Sequence, residues 1–119
     1  MIVATFGLLA AASLQVARFG PHQNVVVERI HDQSAISAYG DAHVVRLRGS
    51  AAQFAQCVAG IRSGQATECT FAHSGSLDFR PLDDGSYQFR FNDALKANVV
   101  DFVVDADGLK SALEAMANI

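Results

Sequence analysis

The side chains that could do chemistry are few and scattered. Four histidines, His22, His31, His43 and His73, could serve as metal ligands or general bases, yet none forms an HxxxH pair or joins a Cys/His cluster. No metal site and no cofactor are expected from that spacing. His43 shares an alternating face with Val45 and Leu47, which predicts a partly buried histidine. The two cysteines, Cys57 and Cys69, have neither CxxC spacing nor the density of a disulfide scaffold. Reduced thiols are the expectation, with a Cys57–Cys69 bridge as the alternative for an exported protein. Cys57 also lies within an apolar helical stripe, where a thiol behaves as a small hydrophobe and lacks the exposed, electropositive setting of a nucleophile. The segments GSAAQ, SGQ and SGS match neither phosphate-cradling pattern. The chain therefore reads as a non-enzyme.

Acidic residues offer a different kind of chemistry. Asp83, Asp84, Asp93, Asp101, Asp105 and Asp107 are concentrated in the C-terminal third without the DxDxDG pattern and terminal Glu of a calcium loop. Aspartate is favoured in turns and helix caps, which accounts for some of them structurally. The functional alternative is an acidic surface that steers and grips a basic protein partner. On that reading the candidate partner-binding residues are Asp83, Asp84, Tyr87 and Asp93. Tyr87 would serve as an amphipathic anchor, although its alternation with Phe89 and Phe91 also suits the core.

These residues must be positioned by a chain of 119 residues, half of them hydrophobic and 18% charged, which is enough for one core and one domain spanning residues 1–119. A net charge of −3 without a run of Lys or Arg opposes binding to phosphate backbones, so nucleic acid is not an expected partner. The first twelve residues, MIVATFGLLAAA, are apolar and end in small residues like part of a signal peptide, but lack a positive leading region. They are too short to span a membrane. The expectation is a cytoplasmic protein without membrane association, or an exported one if residues 1–12 belong to a signal segment.

Periodicity supplies the elements. Strands are predicted at Ile2–Phe6, at Ser13–Phe19 with Leu14 and Val16 on one face, and from Val25. Ala35–Tyr39 and Ala42–Arg48 can pair across a Gly40-Asp41 turn, with Ile36 opposite Val45. No internal repeat is evident. Ser50 and Gln53 form a capping-box pattern ahead of Phe54, Cys57, Val58 and Ile61 at helical spacing, and Gly64 can end that helix, predicted over Ala51–Ser63. After a short strand at Glu68–Ala72, a three-residue Asp83-Asp84-Gly85 loop pairs Phe79 with Phe89 and Leu77 with Phe91, and sets Asp78 opposite Arg90. VVDFVV makes the last strand. Asp105 can cap a helix over Asp107–Asn118 with an apolar stripe of Leu109, Ala112, Leu113 and Met116. The fold class is α+β: an antiparallel sheet of about five to seven strands, with the two helices packed mainly on one face.

From Ala42 to Ile119 the order of segments (HVVRLRG, SAAQFAQCVAGIRSG, SLDFRPL, SYQFRF, VVDFVV and ADGLKSALEAM) resembles that of small bacterial immunity proteins of polymorphic or contact-dependent toxin systems. The resemblance implies stoichiometric binding of a cognate protein toxin, without catalysis. A small-molecule-binding domain, or an accessory domain that homodimerises through a sheet edge, is the alternative.

Overall fold

A computed structural model describes residues 14–119 of the chain; the strand expected at Ile2–Phe6 lies outside them. The class is α+β, but the described residues form eight strands in two four-stranded antiparallel sheets in place of five to seven in one. Sheet A is the meander β1 (Leu14–Phe19), β2 (Val25–Ile30), β3 (Gln33–Tyr39) and β4 (Val44–Ser50), followed by helix α1 (Ala51–Arg62). Sheet B is the meander β5 (Thr67–Phe71), β6 (Gly75–Pro81), β7 (Tyr87–Asp93) and β8 (Val99–Val104), followed by α2 (Ala106–Ala117). The two apolar faces expected on one sheet belong to separate sheets and face each other across a shared core.

The architecture thus repeats where the sequence hardly does. At an offset of 55 residues only Val44/Val99, Val45/Val100 and Ala51/Ala106 are identical between β4–α1 and β8–α2. Character is kept more widely: Leu47 answers to Phe102, the N-caps Ser50 and Asp105 to each other, and Phe54, Cys57, Val58 and Ile61 to Leu109, Ala112, Leu113 and Met116. Each helix extends from its own meander onto the first strand of the other. α1 packs on β4 and β5, α2 on β8 and β1, and the helices touch. β4 reaches β6, β7 and β8, so it crosses sheet B and does not lie along one of its strands. One continuous cluster runs through both sheets, from Phe19, Ile36 and Leu47 to Phe79, Phe89 and Phe91.

Most local predictions hold. The Ser50 hydroxyl accepts from Gln53 N at 3.2 Å while Gln53 Oε1 accepts from Ser50 N at 2.8 Å, completing the capping box. Gly64, at φ 81°, donates to Ile61 O and ends α1 in the left-handed region. Phe79 pairs with Phe89, Leu77 with Phe91 and Asp78 with Arg90, closed by a Leu82/Ser86 pair with Gly85 at φ 88°.

Three local expectations need correction. Ile36 faces Leu47, not Val45, and the Gly40 N–H donates to His43 O, so the turn lies at Asp41-Ala42. The slip is of two residues and preserves the faces. Gly40 lies close to the opposite sheet: a Cβ there would sit 3.2 Å from Val100 Cγ2, which would have to shift slightly to admit it. In β1 a bulge between Gln15 and Ala17 breaks the alternation, turning Ala17 and Phe19 inward and leaving Leu14 59% exposed. His43, expected to be partly buried, is exposed because it closes the hairpin turn before β4 begins.

Cys57 and Cys69 are joined in a disulfide, their Cα atoms 5.6 Å apart, and are not the reduced thiols expected. Spacing along the chain could not reveal this, since the bridge links the buried stripe of α1 to β5 of the other unit. No helix of the described residues is long and apolar enough to cross a membrane.

Candidate binding surface

The solvent face of sheet B carries a row of charges across all four strands, Glu68, Asp78, Arg90 and Asp101. Strand alternation puts them there: their neighbours Cys69, Leu77, Phe91 and Val100 occupy the matching inner row. Arg90 pairs with Asp101 at 3.5 Å and not with Asp78. Asp78 Oδ2 instead accepts from Asn92 Nδ2 at 3.1 Å, which also donates to Ser76 Oγ, while Asp78 Oδ1 is buried without a partner. Beside this row lies a shallow depression of about 360 Å3 between β5, β6 and β7, lined by Glu68, Asp78, Arg80, Gln88 and Arg90.

Antiparallel register brings a second set of acids together. Pro81 pairs with Tyr87 and Tyr87 with Val104, so the β6–β7 turn and the β8–α2 junction share one end of sheet B. Asp83 and Asp84 of the turn and Asp105 and Asp107 of the junction all stand exposed at that end. Asp84 Oδ1 accepts from both the hydroxyl and the backbone N of Ser86, and these bonds hold its carboxyl below the ordinary value of 3.8. Asp105 accepts from Gly108 N at 2.8 Å as the N-cap of α2.

Two of the four sequence-predicted residues lie apart from this end or face inward. Asp93 is at the other end of β7, roughly 20 Å away along the strand. Its carboxylate accepts from Ala97 N at 2.9 Å and Asn98 N at 3.2 Å, shaping the β7–β8 loop. Tyr87 is half-buried and stacks on Phe79 with ring centroids 5.8 Å apart, as its alternation suggested. Asp83 and Asp84 remain together, and the structure adds Asp105 and Asp107 beside them. The strand register was the available signal, because Val104 follows from pairing VVDFVV with SYQFRF.

Among the described residues no group of three His, Cys, Asp or Glu is placed to hold a metal ion. All four histidines are exposed, and His22, His31 and His73 take left-handed backbone at φ 60°, 55° and 68° in tight turns.

Charge divides between the units. Residues 14–62 hold five basic side chains (Arg18, Arg29, Arg46, Arg48, Arg62) against three acidic (Glu28, Asp32, Asp41), a net +2. Residues 63–119 hold the remaining four basic and nine acidic side chains, a net −5. Comparison with protein-family models, curated proteins and solved structures finds no match for the chain.

Proposed function

We propose that this chain acts by binding another protein, without catalysis, and that the acidic end of sheet B is the contact surface. The observation that carries this reading is the convergence of Asp83, Asp84, Asp105 and Asp107 at one end of the unit whose net charge is −5. Such a field raises the rate of encounter with a basic surface and selects among partners more than it adds affinity. The specific form of the proposal is an immunity protein that neutralises a cognate toxin, supported by the order of segments from Ala42 to Ile119. The disulfide favours action in an oxidising compartment, because such bridges persist outside the reducing cytosol. It supports the exported alternative for localisation, and with it a toxin that acts outside the cytoplasm.

The test is affinity capture with the products of neighbouring genes, followed by co-expression with any toxin recovered. Protection of cells that falls in an Asp83→Lys/Asp84→Lys variant, with association slowed about tenfold at low salt and less at high salt, is the expected result. Recovery of a tightly retained small molecule, with no protein partner, would overturn it in favour of a ligand-binding domain. Thiol trapping in intact cells reports the compartment: a bridged Cys57–Cys69 pair is expected.

A further inference from the structure

Each sheet has two edge strands, β1 and β4 in sheet A and β5 and β8 in sheet B. At β4 the Ser74 hydroxyl accepts from Arg48 N at 3.1 Å and donates to Arg48 O at 3.4 Å. β8 is different. The Asp93 N–H donates to Asn98 O, and the pairing continues through Phe91/Val100, Phe89/Phe102 and Tyr87/Val104. Antiparallel alternation then directs the backbone N–H and C=O groups of Val99, Asp101 and Val103 away from β7. No bond to these outward groups is made by any other element of the described residues.

Beside this edge runs a groove of about 460 Å3, walled by the Pro21–Gln23 turn and the tip of the β3–β4 hairpin, with Tyr39 and Gly40 facing Val99–Phe102. Its lining is mixed: Val99 and Tyr39, 39% and 48% exposed, stand with Asp41 and Asp101, and Val103 farther along the strand is 49% exposed. Open edges are usually blunted by charged side chains, lysine above all, or by proline; the one charge of β8 is Asp101, which would select the strand that adds there.

We infer that β8 is a docking edge for an extended peptide segment of a protein partner, which adds as a further strand of sheet B. The inference rests on the protein-binding reading above and names the mode of recognition. Backbone bonds to Val99, Asp101 and Val103 supply affinity, and the alternate side chains set specificity. On the solvent face the peptide residue opposite Asp101 is basic and shares its carboxylate with Arg90 of β7, which pairs with Asp101 at 3.5 Å from the other side. The residues on either side of it turn inward, toward Pro21, Tyr39 and Gly40, and are small and apolar. A second copy of the chain is disfavoured as occupant. An antiparallel β8–β8 pair that uses all three outward residues sets Asp101 against its own equivalent.

The test is a titration of isotope-labelled protein with acetyl-Thr-Val-Arg-Val-Thr-amide, followed by amide chemical shifts and hydrogen exchange. The expected result is slowed exchange at Val99, Asp101 and Val103 with shifts at Tyr39. Asp101→Asn should weaken binding about two- to fivefold, the range of a cross-strand charge pair. Val103→Pro removes an outward donor without touching the β7 ladder and should weaken binding about tenfold. No shift in β8 at millimolar peptide overturns the inference, as does protection of those amides without peptide in a slowly tumbling dimer. Equal binding by a peptide with Glu in place of Arg overturns the assigned specificity. Because the peptide reports on the edge directly, its failure is separable from failure to capture a partner at the acidic end.

Discussion

The two units share a topology and differ in what fills and covers it. Sheet A turns Val25, Val27, Ile36, Ala38, Val45 and Leu47 inward, with Phe19 at its edge. Sheet B contributes Phe71, Phe79, Phe89, Phe91 and Phe102, with Phe89 touching Phe19, Phe79 and Phe102 at 5.3–6.0 Å between ring centroids. Their outer faces differ as well. Arg18, Arg46 and Arg48 stand on sheet A, with Arg46 paired to Glu28 at 3.4 Å, whereas sheet B presents Glu68, Asp78 and Asp101 around Arg90. A meander followed by a capped helix therefore fixes the path of the chain but not its surface. The inner alternate residues can exchange aliphatic for aromatic side chains if the volume is shared across the gap, and the outer ones are free to take opposite charges.

Substitutions should reveal the asymmetry. Phe89→Ala, at the centre of the aromatic cluster, should destabilise by about 3–5 kcal/mol, whereas Ile36→Val at the matching inner layer of sheet A should cost about 0.5–1.5 kcal/mol. Both are read from denaturant midpoints, and equal shifts would show that the aromatic cluster holds no special share of the core. Reduction of Cys57–Cys69 should cost roughly 3 kcal/mol if the bridge acts by limiting the unfolded chain. A Cys57→Ala/Cys69→Ala variant should match the reduced protein, and an unfolding transition that splits in two on reduction would show that the bridge is what couples the units.

Smaller effects separate the two helix starts. Ser50→Ala and Asp105→Ala should each lower stability by about 1 kcal/mol. Gln53→Ala should add to the loss at α1 only, since α2 has Gly108 at the equivalent position and no reciprocal side chain. The least effect concerns Asp84. Its carboxyl titrates below 3.8 in the folded protein, so the Ser86 contacts contribute stability that is present above about pH 4 and lost as pH falls through the lowered value. A carbon-detected NMR titration should place its midpoint below 3.8, and Ser86→Ala, which removes the hydroxyl donor but keeps the backbone N–H, should raise it part of the way back.

Local patterns were legible because they depend on near neighbours. The capping box at Ser50, the Gly85 loop, the pairing of Phe79 with Phe89 and the burial of Phe54, Ile61 and Met116 all follow from spacing alone. Asp83 and Asp84 were legible as a turn for the same reason. Asp105 and Asp107 were visible as a helix start, but their place beside that turn required the β7–β8 register.

What the amino-acid order determined is therefore the β3–β4 and β6–β7 hairpins, each capped helix and the faces of most strands, since alternation and helical period act over a few residues. Tertiary structure decided the rest. Two sheets formed because each apolar face needed an apolar partner that only the other meander supplied. The β3–β4 register placed Gly40 beside the turn, where Val100 of the opposite sheet comes close. Cys57 and Cys69 met because α1 packs across onto β5, a contact between units that no spacing within one of them encodes.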